Sequence, residues 1–432
     1  MAAAAAWLAL PGIGHGDDLW EVYQTALARD AAYGAARHEY QSARLDAPAA
    51  RAALLPTVSL QGSVGQTQDN NNQQNNFDSY DHSNIGLTAR MPLFDFGVWS
   101  EVSQGRLRAA RAAIRFDQAQ DDLILRVAER YFEVLAARDR KEVARRQKLS
   151  IQRQRDFAAE RLAVGVGTQA DLFDAEARFQ QAVADLIEAD NAIDNAAQAL
   201  KRVVGDAPAS LTAYPADAPL PPPSPASVGA WVERAAANHL ALKAAEYDLA
   251  IAREEIKRQR AARLPRIGLE ADRGRRRVSD HDDDLNGATN STSVSATLSW
   301  TLFAGGALHH RTRQASLRAV AAEQTREDIR RRIEADATES FLAVTGGLSR
   351  AQALSEAVRA GTSALAAKEE GFRAGLTTNL DVLDAQRDLA RSRTDHLRAR
   401  YDFLLSVLRL ERAAGDLDES DLQRVNDWLT AG

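Results

Sequence analysis

Leu54-Leu55-Pro56-Thr57-Val58-Ser59-Leu60 returns further along the chain as Arg263-Leu264-Pro265-Arg266-Ile267-Gly268-Leu269, and Leu93-Phe94-Asp95-Phe96-Gly97 returns as Leu302-Phe303-Ala304-Gly305-Gly306. Both pairs are offset by 209 (Pro56 to Pro265, Phe94 to Phe303). A third pair, Gly165-Val166-Gly167-Thr168-Gln169-Ala170-Asp171 and Gly375-Leu376-Thr377-Thr378-Asn379-Leu380-Asp381, is offset by 210, as is Gly205 against Gly415. A single indel across such a distance means two copies of one architectural unit. The copies, 17–205 and 228–415, read as intertwined halves of one body rather than independent domains. Neither contains an enzyme-like constellation, so function must follow from the shape the unit builds.

After each repeat proline the period is two. Val58, Leu60, Gly62 and Val64 alternate with Thr57, Ser59, Gln61 and Ser63, and Ile85, Leu87, Ala89, Met91 and Leu93 alternate with Gly86, Thr88 and Arg90. The second copy offers Ile267, Leu269 and Ala271, then Val294, Ala296, Leu298, Trp300 and Leu302 against Ser293, Ser295, Thr297, Ser299 and Thr301. Each half therefore predicts one antiparallel hairpin, 57–94 and 266–303, with an apolar and a polar face. Strands of roughly ten residues suit a membrane-spanning β-strand. The polar runs 68–83 and 272–292 read as long hairpin loops. In the second, Asp280 to Asp284 lacks the glycine and closing glutamate of a calcium loop, so a solvated loop is the reading taken.

Between hairpins the chain reads as helix. Trp99 to Val164 contains no proline, and at 1.5 Å per residue such a span is on the order of 100 Å long. Beyond the turn at 165–171, Leu172, Ala175, Phe179, Ala182, Leu186, Ala189, Ile193, Ala196 and Leu200 form a heptad seam of large and small residues. The second copy, after its turn at 375–381, keeps the register from Val382 to Leu410 and adds a stripe at Leu397, Tyr401, Leu404 and Leu408. Two stripes on one helix imply neighbours on both sides. His396 in the seam and His309-His310 read as packed or partly solvated residues, since no metal-spaced partners surround them. Asp206 to Ser227, with Pro221-Pro222-Pro223, reads as an extended linker, and 416–432 as a C-terminal segment.

The 432 residues carry 54 Lys and Arg against 60 Asp and Glu, a formal net charge of -6, which argues against nucleic acid as a partner. Cysteine is absent, which removes disulfides, thiolate metal sites and a lipidated N-terminal cysteine. Residues 1–16 hold an apolar stretch ending in Gly14-His15-Gly16, a small-x-small pattern suited to a signal peptidase, but no Lys or Arg precedes it. The alternative is an alanine-rich tail. No other apolar run reaches the ~18 residues of a spanning helix, so any membrane span must be made of strands. Four strands cannot close a barrel, and open edges are not tolerated in lipid. The chain must oligomerise, and an open lumen excludes the smallest closure.

The Leu-Pro-x-x-x-Leu entry to each hairpin, the Leu-Phe-x-x-Gly exit, the Val-Gly-x-x-Thr turn at 164–168 and the Gly-x-x-Thr-x-x-Asp-Val-Leu-Asp-Ala turn at 375–385 resemble the TolC family of outer-membrane efflux proteins, in order and in both copies, from about Asp18 to Trp428. The resemblance implies a mainly α fold with a β membrane portion: a homotrimer with a twelve-stranded barrel continuous with a periplasmic α-helical barrel. It places Asp206–Ser227 and Asp416–Trp428 in an equatorial belt, and Pro56, Gly97, Pro265 and Gly305 at β-to-α junctions. It implies the outer membrane of a Gram-negative bacterium, with outer-membrane lipid, a periplasmic adaptor and an inner-membrane ABC or RND-type pump as partners. No cofactor, metal or enzymatic activity is expected. Lacking cysteine, the chain is similar to the non-lipidated branch that also serves type I protein secretion. Export of proteins or small toxic molecules is preferred over exclusive heavy-metal efflux.

Candidate selectivity residues lie at the helical turns. Asp171 with Asp174, and Asp381 with Asp384, start the returning helices; Thr168-x-x-Asp171 and Thr378-x-x-Asp381 are also capping-box spacings. Threefold symmetry would turn each Asp into a carboxylate ring that favours cations. The resemblance assigns Asp381 and Asp384 to the pore entrance and Asp171 to its closure. The family prototype closes with a Tyr and an Arg where this chain has Phe372 and Thr377, leaving Arg373 as the nearest replacement. A periplasmic adaptor or a pore-less coiled-coil scaffold is the alternative; neither would need amphipathic strands.

Overall fold

A computed structural model describes residues 17–71, 76–206, 210–215, 218, 220–280 and 287–430. The apolar stretch before Asp17 and most of the acidic run after Asp280 lie outside the described residues. In chain order the first copy carries α1 (Leu19–Arg29), α2 (Ala31–Ala43), α3 (Asp46–Ala52), β1 (Thr57–Asn71), β2 (Asn76–Phe94), α4 (Phe96–Ala163) and α5 (Gln169–Val204). The second carries α6 (Val228–Asn238), α7 (Leu240–Ala261), β3 (Arg266–Asp280), β4 (Gly287–Ser299), α8 (Ala307–Arg373), α9 (Asn379–Ala414) and α10 (Glu419–Thr430). Two compact units cut across these copies: His38–Arg115 with Lys243–Ile329, and Met1–Arg37 with Phe116–Leu242 and Arg330–Gly432.

The first unit is organised by one antiparallel sheet in the order β1-β2-β3-β4. The two sequence copies meet at the β2–β3 pairing, which runs from Tyr80 opposite Asp280 to Phe94 opposite Ile267. Register puts Leu60 opposite Leu87, Ala89 opposite Ala271, and Ala271 opposite Val294, so the apolar positions of all four strands share one face. That face is uncovered: Val64 is 88% exposed and Leu298 64%. On the opposite face Arg90 donates to Glu270 Oε1 through Nη2 (2.6 Å) and Thr88 donates to Asp272 Oδ1 (2.7 Å).

The structure corrects the sequence expectation in three places. The polar runs expected as long loops are mostly strand: β1 and β2 pair out to Asn71 and Asn76, and β3 pairs with β4 from Gly287 onward. Polarity misled because antiparallel backbones supply their own hydrogen bonds and leave wetted side chains free on both faces. The alternation in β2 does not continue to Leu93. A bulge between Pro92 and Phe94 sets Phe94 opposite Ile267, which suits a proline that has no N–H for the ladder. Finally, β4 stops at Ser299, so Trp300 and Leu302 lie beyond the strand; the Trp300 indole donates to the Arg263 carbonyl (3.0 Å).

The junctions explain the repeated prolines and glycines. Turns from Leu55 N–H to the Ala52 carbonyl (3.0 Å) and from Leu264 N–H to the Ala261 carbonyl (2.9 Å) end α3 and α7, and Pro56 and Pro265 follow directly, where a helix cannot continue. Asp95 Oδ1 accepts from the N–H of Gly97 (2.8 Å) and Val98 (3.4 Å), capping α4. A Cβ on Gly97 would lie 3.0 Å from that carboxylate oxygen. Gly305 and Gly306 take φ of 58° and 81°, the left-handed region that glycine enters without penalty.

The second unit is helical. Its core draws Leu19 and Tyr23 from α1, Leu123, Tyr131 and Phe132 from α4, Leu200 from α5, Trp231 from α6, Phe403 and Leu408 from α9, and Leu422 and Val425 from α10. Asp18 and Glu21 form the capping box that starts α1. Asp17 bridges Leu211 in a parallel pairing, and the Tyr131 hydroxyl donates to the Thr212 carbonyl (2.7 Å). The buried Arg400 guanidinium lies 4.4 Å from the Tyr214 ring centroid and donates to the Pro215 carbonyl. The described part of the linker is thus pinned to the helices. Gly415 ends α9 with φ of 78°, and any Cβ there would come within 2.4 Å of His239 Cα. In the α5 seam the small residues Ala175, Ala182 and Ala189 are buried while Leu172, Phe179 and Leu186 are half-buried; α9 is buried at both of its stripes, with Val382, Leu389, Tyr401, Leu404 and Leu408 covered. His396 accepts no metal-like company: its Nδ1 sits 3.2 Å from the Ala351 carbonyl, and burial lowers its pKa. No metal-binding cluster and no helix long and apolar enough to cross a membrane occur among the described residues.

Candidate functional site at the helical turns

Two turns with one construction join α4 to α5 and α8 to α9. In the first, Val166 N–H donates to the Arg161 carbonyl (2.9 Å) and Gly165 N–H to Leu162 (3.1 Å); in the second, Leu376 N–H donates to Gly371 (2.7 Å) and Gly375 N–H to Phe372 (3.1 Å). This is the Schellman arrangement, and it places Gly165 and Gly375 at φ of 77° and 74°. Each returning helix then opens with a full capping box. Thr168 Oγ1 accepts from Asp171 N–H (3.0 Å) and Asp171 Oδ2 from Thr168 N–H (3.3 Å). Thr378 and Asp381 repeat it at 3.2 and 3.0 Å. The capping role read from the spacing is therefore present at both turns.

The carboxylates differ in company. Asp381 is part-exposed and accepts from the Thr378 hydroxyl (2.6 Å) and from Lys368 Nζ (3.3 Å). The Thr378 hydroxyl, its backbone N–H and then the Lys368 ammonium hold the Asp381 pKa down at about 2. Asp384, one turn further along α9, accepts from Arg178 Nη2 of α5 at 3.0 Å, with Arg387 at 3.6 Å. Asp174 is exposed.

The residues proposed for closure separate into distinct contacts. Phe372 stands edge-on to Phe157, ring centroids 5.9 Å apart, and Arg161 lies over it with its guanidinium carbon 5.1 Å from the centroid. Arg373, expected as the replacement arginine, instead pairs with Glu370 of its own helix (2.5 Å). Thr377 Oγ1 donates to the Lys368 carbonyl (3.0 Å), and its methyl packs on Gly371, where a Cβ would lie 3.0 Å away. Asp171 meets the second turn through its backbone: its carbonyl accepts from Asn379 Nδ2 (3.2 Å).

Three contributors escaped the sequence reading. Asn379 is 2% exposed and also accepts from Gln154 Nε2, tying α4, α5 and α9 together. Arg161 and Arg178 supply the cations at Phe372 and Asp384. Asn379 follows a cap and matches Gln169 in the other copy, a weak signal; the two arginines are indistinguishable in sequence from other solvated charges. A small core of Ile151, Ala158, Ala175, Ala182 and Leu383 backs the turns. Alanines at facing positions let the helices approach closely, which fixes the registers that bring these partners together. The arrangement provides charge and aromatic bulk at helix turns.

Known proteins give the context. The sequence matches the outer membrane efflux protein family over residues 22–206 and 231–416. It is 31% identical to the alkaline protease secretion protein AprF of Pseudomonas aeruginosa over 426 residues, covering 96% of this chain and 88% of that one. It is 29% identical to the outer membrane protein TolC of Vibrio cholerae over 417 residues, covering 96% and 94%. The fold superposes on crystal structures of CusC with a TM-score of 0.79 at 19% identity, over 92% of each chain.

Proposed function

The chain belongs to the outer membrane efflux protein family, and from that premise we propose that three copies close one twelve-stranded barrel that continues into a tunnel of α-helices. It is an outer-membrane channel for efflux or secretion, not an enzyme. The observation that carries the trimer is the sheet: β1 and β4 end it without a strand partner among the described residues, and one face carries an uncovered apolar band while the other is polar, with Arg90 paired to Glu270. A sheet of four strands cannot shield its edges from lipid by itself, and copies joined edge to edge can. Exposed Trp99, Trp300 and Phe303 stand where the strands give way to helix, as aromatic girdles do at a membrane interface. In this reading Asp381 and Asp384 ring the entrance at the turns, and Phe372 with Arg161 supports its closed form. The working partners are a periplasmic adaptor and an inner-membrane ABC or RND-type pump. The likeness to AprF favours protein secretion among the cargoes. An adaptor or a pore-less scaffold would have no use for the uncovered apolar face.

The native chain has no cysteine, which makes a direct test simple. One cysteine is placed in β1 and one in β4, at several registers. The two edges are separated by β2 and β3 within a chain, so only a neighbouring copy can supply the partner. Disulfide-linked dimers and trimers on non-reducing gels are expected. Absence of any interchain crosslink across the full set of registers contradicts the closed barrel.

A further inference from the structure

We propose that Arg273, Arg275 and Arg277 form a cationic strip that docks the phosphate groups of lipid headgroups in the outer leaflet of the membrane; this rests on the barrel reading above. The three alternate along β3 with Asp272, Gly274 and Arg276, so they share the face that carries Leu269 and Ala271. On that face Arg273 lies between Leu87 and Thr292, Arg275 between Ile85 and Asn290, and Arg277 between Ser83 and Ala288. The apolar band thus gives way to three arginines in a row.

Their height fits a headgroup layer. At about 3.3 Å per residue, Arg273, Arg275 and Arg277 lie roughly 23, 30 and 36 Å along the strand from Arg266, and a tilt of about 40° reduces this to roughly 18, 23 and 28 Å. The apolar belt of such barrels is about 25 Å tall, so the upper two straddle its rim and Arg273 reaches it by snorkelling. The helices start at the other end of the strands, which makes this the rim away from the helical tunnel.

Among the described residues these charges have no counter-ion. All three side chains are exposed, and none has an ion pair or hydrogen bond among the described residues, whereas Arg90 on the polar face is held by Glu270. The nearest acidic position on the same face, Asp81, pairs in register with Ser279, one step beyond Arg277. Nor does the strand need the charge. The matching positions of the first copy are Val64, Gln66 and Gln68, and β1 forms the same ladder with them. Arginines whose backbones lie about 7 Å apart along a strand at a lipid boundary suit headgroup phosphates, which a guanidinium binds bidentately.

The test compares lipid retained per trimer, by native mass spectrometry, after reconstitution with bisphosphorylated lipid A or with its dephosphorylated, acyl-matched form. Wild type should prefer the phosphorylated lipid by on the order of a hundred-fold, about five-fold per arginine. The triple variant R273Q/R275Q/R277Q should lose most of that preference, the triple Arg→Lys variant should keep much of it, and R276Q on the polar face should not change it. Equal retention of the two lipids by wild type overturns the proposal even if the glutamine variant fails to fold. A preference left unchanged by R273Q/R275Q/R277Q overturns it too, as does a strip that retains an acidic peptide but not lipid A. Planar-bilayer conductance of the same samples separates this outcome from failure of the barrel: a strip that binds no phosphate in a conducting trimer refutes only the strip.

Discussion

Arg161 covers the Phe372 ring at 5.1 Å, joining the end of α4 to the end of α8 beside the helical turns. A cation over an aromatic face at such a site is worth about 0.5–1 kcal/mol. Arg161→Ala should therefore raise the open fraction of single channels in planar bilayers by roughly two- to five-fold per chain, while Arg373→Ala, which removes only an exposed pair with Glu370, should leave it unchanged. The reverse ranking would show that the second hairpin's own arginine closes the entrance.

Changing both Asp381 and Asp384 to Ala should lower cation preference and weaken block by multivalent cations, with the trimer intact because Thr378 still caps α9. Reversal potentials in asymmetric salt read this directly. Asp171 and Asp174 serve as the paired control, with a smaller expected effect. A pH series adds a second check. Because the Asp381 pKa is depressed to about 2, its charge persists through about pH 3, where an ordinary aspartate near 3.9 is largely protonated. The stability it lends the turn is likewise present above about pH 4 and lost only as pH falls through about 2. Unchanged reversal potential and block in the double variant would reduce both residues to caps.

Leu298 and Thr297 are neighbours on β4 with opposite faces. Arg at Leu298 should impair membrane assembly at a cost of ~2–4 kcal/mol near mid-bilayer, whereas Arg at Thr297 should be tolerated. Yield of heat-modifiable trimer in membranes is the measurement. Equal tolerance would mean that the apolar face does not meet lipid.

Asp121 is buried on α4 near Arg412 and a further carboxylate, Asp122. Burial is the main cause that pushes its pKa up to about 7. A carboxyl whose pKa is raised on folding destabilises the fold as pH rises from its unfolded value near 3.9 toward 7. Asp121→Asn should stabilise the protein at pH 8 by about 1–3 kcal/mol and be neutral below about pH 4. Thermal unfolding across that range tests it; a variant less stable at pH 8 would show a charge that the fold uses.

Local chemistry was legible in the sequence. Thr168 with Asp171, and Thr378 with Asp381, are three residues apart, so spacing alone announces the caps, and the duplicated prolines mark where strands begin. Contacts set by packing were not. Arg178 meets Asp384 across 206 residues and Asn379 meets Asp171 across 208, and their registers depend on how closely alanine-lined helices approach. The β2 bulge depends on one missing N–H at Pro92, and period-two counting passes over it. The hairpin ends were misread because polarity reports solvent, and a strand wetted on both faces is as polar as a loop.

The open edges of β1 and β4 call for closure of the barrel by three chains. Native mass measurement of the detergent-solubilised protein should give three chains per particle with the β content of the sheet retained. A stable monomer with the same β content would contradict it.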